Sequence, residues 1–180
     1  MTSGIRMAHH DLNCDNDPRQ HASPTKSLSP MKPMKMRTYL VEDNPIIRES
    51  LISTLEELAP VQTVGTSDSE EEGAAWLNGH GGQWDLAIVD LFLKSGSGLR
   101  VLEACRKRGT DQKMVVFTNY ATREMRLRCA QLGVDAVFDK STEIDDLLAY
   151  CVTQSQLTNP AVTQSAVPQR AGARKTASSR

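Results

Sequence analysis

The chain predicts an α/β fold in which five strands form a parallel sheet and each strand is followed by a helix. Three observations carry that expectation. Between residues 37 and 152, short apolar runs alternate five times with segments whose apolar residues recur at helical spacing, the pattern of βα units. Cap and turn residues, among them Asn44-Pro45, Gly79, Gly109 and Gly133, fall at the junctions, where helices start or stop. With 180 residues, 24% charged and 39% hydrophobic, there is room for one domain with some chain left over.

The first strand is expected at Thr38 to Val41. Its helix has Asn44 as N-cap, Pro45 at the first helical position and an inward stripe of Ile47, Leu51, Leu55 and Leu58. Val61 to Thr66 reads as the second strand. Asp68 and Glu71 then form a capping-box pattern for a helix that stops near Gly79, with Trp76 off the face set by Ala74 and Leu77. Leu86 to Val89 is a wholly apolar third strand. After a loop holding Gly96 and Gly98, its helix carries Arg106, Lys107 and Arg108 in the last turn before Gly109, cations suited to the negative end of the dipole. Met114 to Phe117 is the fourth strand, and the helix around Met125, Cys129 and Leu132 ends at Gly133. Val134 to Phe138 is the fifth. The closing helix starts at Ser141, has Glu143, Asp145 and Asp146 in its first turn, and turns Ile144, Leu147, Leu148 and Cys151 inward.

Residues 1–36 hold Pro18, Pro24, Pro30 and Pro33 among polar residues without an apolar period, and residues 153–180 are rich in Thr, Gln, Ser, Ala and Arg; both are expected to be disordered tails. Residues 37–152 carry 12 Lys and Arg against 19 Asp and Glu, so an acidic domain lies between mildly basic ends. That balance argues against a nucleic-acid-binding surface. Cys14, Cys105, Cys129 and Cys151 include no CxxC pair, which leaves neither a zinc site nor a disulfide framework. No apolar run has a membrane-spanning length and no leader pattern opens the chain. A soluble protein of the reducing cytoplasm is the expectation.

In an open parallel sheet, functional groups gather beyond the carboxyl ends of the strands. There the first strand is followed by Glu42 and Asp43, the third by Asp90, the fourth by Thr118 and the fifth by Lys140. Alone, each has an ordinary structural explanation as a cap, a surface charge or a strand-end hydroxyl. Five together at one sheet edge are not explained that way. Three crowded carboxylates call for raised pKa values or a bound cation, and an all-oxygen set suits Mg²⁺. With a cation and Lys140 to offset charge and Thr118 to donate a hydrogen bond, the edge can handle a phosphoryl group. Asp90 is then the natural nucleophile, forming an acyl phosphate.

The segments YLVEDNP (39–45), LAIVDLFL (86–93), SGSGL (95–99), VVFTNYA (115–121) and FDKS (138–141) resemble, in order and spacing, the receiver domain of two-component response regulators. The resemblance implies a doubly wound, flavodoxin-like sheet of order 2-1-3-4-5 with helices on both faces. It also implies a phosphoryl group received from a sensor histidine kinase or histidine phosphotransfer protein. Asp90 matches the phospho-acceptor, Asp43 a Mg²⁺ ligand with Glu42 its acidic neighbour, Thr118 the switch hydroxyl and Lys140 the phosphate-binding lysine; the Phe92 backbone carbonyl is expected to complete the metal site. The sequence departs from the family pattern at Val137, where an aromatic switch residue is usual, at Ser141, where Pro is common, and at Asn119, where a small residue is common.

A stand-alone regulator signalling through phosphorylation-dependent protein contact follows, because the residues after 152 are too few and too polar for a DNA-binding output domain. Arg123, Arg126 and Leu127 are expected on the outer side of the fourth helix as the partner surface. A phosphate sink in a phosphorelay or a Mg²⁺-dependent aspartyl-nucleophile phosphatase is the alternative. The phosphatase usually needs a second Asp two residues after the nucleophile, where this chain has Phe92. A flavodoxin-like FMN carrier would need a hydroxyl- and Gly-rich phosphate loop where Glu42 and Asp43 stand.

Overall fold

The most apolar run, Leu86–Val89, becomes the central strand of a five-stranded parallel sheet, with all four residues buried. The computed structural model describes residues 34–158. Elements run β1 (Met36–Val41), α1 (Pro45–Leu58), β2 (Val61–Ser67), α2 (Glu70–Gly79), β3 (Leu86–Val89), α3 (Gly98–Ala104), β4 (Lys113–Thr118), α4 (Arg123–Gln131), β5 (Ala136–Asp139) and α5 (Ile144–Thr158). The strand order is β2-β1-β3-β4-β5, as the resemblance implied. It reverses between β1 and β3, which pair in register from Thr38–Leu86 to Val41–Val89.

Because strand side chains alternate between faces, each strand feeds two cores. Leu40, Ile88, Val115, Phe117 and Phe138 pack with Leu51 and Leu55 of α1 and Leu147 and Cys151 of α5. On the opposite face Tyr39, Val41, Val89 and Val116 meet Leu77, Val101, Leu102 and Cys129 of α2, α3 and α4. A sheet buried on both faces explains why its strands read as continuous apolar runs.

Local signals worked where they were short-range. Asn44 Oδ1 accepts from the backbone N–H groups of Ile46 and Ile47 at 3.0 and 3.4 Å, and Gly133 takes φ +78° after α4. Several expectations are corrected. The inward stripe of α1 is continued by the cap residue Ala59, which is buried, rather than by Leu58, which is 60% exposed. The Asp68–Glu71 capping box does not form; α2 is capped at Ser69 without a side-chain bond. Trp76, expected off the Ala74–Leu77 face, packs against the same core as Leu77, its ring stacked on Tyr39 with centroids 4.0 Å apart. The Tyr39 ring in turn fills the space above Gly65, where a Cβ would come within 2.8 Å of it. Helix α3 stops at Ala104, so Arg106–Arg108 do not lie in its last turn. Arg108 instead bonds Gln112 O, Gly133 O and Asp135 Oδ2 at 2.9, 2.6 and 2.7 Å. The fifth strand runs two residues later than expected at its start, and α5 begins at Ile144 rather than Ser141.

The expected tail boundaries also move. Met36 opens β1 and is buried, and α5 continues through Thr158 with Ser155 buried. Residues 1–33 and 159–180, the rest of the expected tails, lie outside the described residues. No helix among those described is long and apolar enough to cross a membrane.

Candidate functional site

Strand pairing assembles the site. Glu42 and Asp43 follow β1, Asp90 follows the adjacent β3, Thr118 ends β4 and Lys140 follows β5, so neighbours in the sheet deliver all five residues to one edge at the point where strand order reverses. Backbone bonds lock the strand ends: Asp90 N donates to Val41 O at 2.9 Å, Glu42 N to Ser67 O at 3.0 Å and Lys140 N to Thr118 O at 3.0 Å. A cavity of about 210 Å³ lies above them, lined by the five residues and by Phe92, Lys94 and Tyr120 among others.

The polar groups inside are deeply set. Glu42 is 2% exposed and Asp90 8%, which would be costly for ionised carboxylates without a counter-charge. Lys140 supplies it, its Nζ lying 2.5 Å from Glu42 Oε2 and 2.8 Å from Asp90 Oδ2. Glu42 Oε1 also accepts from Asn44 N at 3.1 Å, and Arg48 holds the Glu42 carbonyl at 2.8 Å. Asp43 Oδ2 accepts from Lys94 N at 3.2 Å with Lys94 Nζ at 3.7 Å. Carboxylate oxygens of Glu42, Asp43 and Asp90 converge within 4.8 Å of one another, a hard all-oxygen set able to hold a divalent cation. Thr118 is fully buried and its Oγ1 finds no hydrogen-bond partner, which leaves a donor free for a guest oxygen. Phe92 lines the cavity, with its N–H 3.4 Å from Asp90 Oδ1. Its exposed ring packs on the exposed ring of Tyr120, centroids 4.4 Å apart.

The residues expected to form a partner surface divide. Arg123 and Leu127 are exposed on α4, but Arg126 is not a free outer residue. Its guanidinium donates to Ala121 O at 3.0 Å, to Val137 O and to Glu143 Oε2 at 2.7 Å. Helical spacing had set it outside; the length of the side chain lets it fold back across the elements. Val137 packs in the α2-α3-α4 core and Phe138 in the opposite one, the alternation of a strand. Sequence reasoning missed Glu70, which bonds the loop after Asp90; it stands in a run of three glutamates, and nothing local marks it.

A family model described as response regulator receiver domain matches residues 39–151. The acid tolerance regulatory protein ActR of Rhizobium meliloti is 40% identical over 63 residues, 35% of this chain and 32% of ActR. The transcriptional regulatory protein DltR of Streptococcus agalactiae is 28% identical over 114 residues, 63% of this chain and 49% of DltR. The chain thus spans about a third to a half of these relatives. The receiver domain of Francisella response regulator 1452 superposes with a TM-score of 0.60 at 17% identity, covering 69% of this chain and all of that one.

Proposed function

This chain belongs to the response regulator receiver domain family, and on that premise we propose that Asp90 accepts a phosphoryl group from a phosphohistidine on a sensor histidine kinase or histidine phosphotransfer protein. The observation that carries this reading is the buried Lys140 ammonium bridging Asp90 and Glu42 beside the unpartnered Thr118 hydroxyl. An Asp90 carboxylate oxygen attacks phosphorus; the new P–O bond forms as the P–N bond to imidazole breaks, and the electron pair leaves on the imidazole nitrogen. Lys140 passes to a phosphoryl oxygen as the Asp90 charge is shared with the incoming group, and Thr118 Oγ1 donates to another. Glu42, Asp43, Asp90 and the Phe92 carbonyl would hold Mg²⁺, which when bound offsets phosphoryl charge.

The test is labelling from acetyl phosphate or a phosphohistidine donor. Wild type should give an acid-stable label that requires Mg²⁺, and Asp90→Asn should give none while its circular dichroism is unchanged. Label on another residue would sink the assignment.

The output proposed here is a phosphorylation-dependent protein contact. Its surface is the α4-β5-α5 face, with Arg123 and Leu127 as the outward groups on α4. A cytoplasmic setting is part of the same proposal; separately, burial pushes the Cys105 thiol up to about 11 and the Cys151 thiol to about 12, so neither is a ready nucleophile.

A further inference from the structure

The loop between β3 and α3 runs from the acceptor Asp90 past Phe92 and Lys94 to Ser97, and it is anchored on two sides. Toward the site, Lys94 N donates to Asp43 Oδ2 at 3.2 Å. At its far end Gly98 lies so close to Asp90 that a Cβ there would sit 1.9 Å from the Asp90 carbonyl oxygen, and Gly98 N bonds Leu91 O at 3.0 Å. The second anchor is α2. Glu70 N donates to Ser95 O at 3.0 Å, Glu70 Oε2 accepts from Ser97 N at 2.8 Å, and Ser69 and Ser95 form an isolated parallel bridge. Between these bonds Gly96 has φ +85°, and a Cβ on it would fall 2.3 Å from Glu70 Cβ. On this side the loop is held by the backbone of Ser69 and Glu70 and by the Glu70 carboxylate. Arg100 reaches Glu70 Oε1 only at 3.8 Å from an exposed position and adds little.

Of the hydrogen bonds from the loop to α2, the carboxylate bond to Ser97 N is the charge-assisted one and the stronger. Ser97 is the N-cap of α3, and Glu70 Oε2 is the acceptor for its N–H. The bonds place Lys94, whose N–H orients Asp43, on a stretch held between Asp43 and Glu70. Resting on the site reading above, we infer that Glu70 is a positioning residue for the metal side of the acceptor pocket, acting through the loop on Asp43 and Phe92.

The experiment is a calorimetric Mg²⁺ titration of the full chain with amide hydrogen exchange at residues 94–97, on wild type, Glu70→Ala, Glu70→Gln and Asp43→Asn. Glu70→Ala should weaken Mg²⁺ binding about three- to tenfold, the loss of roughly one hydrogen bond, and speed exchange at Lys94 and Ser97 but not in α1 or α5. Glu70→Gln keeps an acceptor oxygen and should recover most of both effects. Glu70→Ala with wild-type binding and exchange overturns the inference, as does Glu70→Gln impaired as much as Glu70→Ala. Equal Mg²⁺ affinity in wild type and Asp43→Asn overturns the metal reading itself and the inference with it.

Discussion

Lys140 reaches back from the loop after β5 to two carboxylates at once, and its side chain is 7% exposed. A cation so placed offsets two desolvated anions, and its removal leaves them facing one another. Lys140→Met should therefore cost about 3 kcal/mol in a urea titration without Mg²⁺, and added Mg²⁺ should restore part of it by supplying the missing charge. Equal stability of variant and wild type would show that Glu42 and Asp90 are not held as ionised partners. The five site residues were legible in the sequence because each stands at a strand end, and parallel strands share one edge for those ends. What that position could not tell was who bonds whom. Lys140 is 98 residues from Glu42 and 50 from Asp90, and only the β2-β1-β3-β4-β5 order brings the ammonium between them.

Among the elements, α4 packs on the sheet through Cys129 and is tied to its neighbours by one long side chain. Arg126 leaves α4, crosses to the carbonyl of Val137 in β5 and ends on Glu143, whose carboxylate also accepts from Asp139 N at 2.6 Å. The Arg126 guanidinium, with the Asp139 N–H, holds the Glu143 carboxyl below its ordinary value. With Val137 in place of an aromatic side chain, this staple is a polar link between the fourth and fifth βα units on the proposed output face. Arg126→Met and Leu127→Asp thus separate structure from surface. Arg126→Met should lower the unfolding free energy by about 1 to 2 kcal/mol. Leu127→Asp, on a residue 59% exposed, should leave stability within about 0.5 kcal/mol and weaken phosphate-dependent capture of the partner. Unchanged partner affinity in Leu127→Asp would place the output elsewhere.

Over the whole molecule, the sheet edge opposite the site is tied by Asp85. Its backbone N–H bonds Arg37 O and its carbonyl accepts from Lys113 N, each at 2.8 Å, while its carboxylate takes Arg37 N, Nε and Nη2. Burial alone would raise the Asp85 pKa, but the Arg37 bonds outweigh it and the carboxyl stays below its ordinary 3.8. Such a group stabilises the fold above its unfolded pKa, and the contribution is lost as pH falls through the lower native value. Arg37→Ala should cost about 1 kcal/mol at neutral pH, and denaturation curves of variant and wild type should converge below about pH 4. A gap that persists in acid would mean that packing of the Arg37 stem, not charge, supplies the stability. Periodicity and backbone rules that act over a few residues suffice for the alternation of five βα units, the Asn44 cap and the gathering of five polar residues at one sheet edge. Tertiary structure alone decided that α3 stops at Ala104, that Trp76 turns onto Tyr39, and that Arg126 and Glu70 bind loops of other elements. Those outcomes depend on side chains long enough to span neighbouring elements and on partners that only the packed sheet brings within reach.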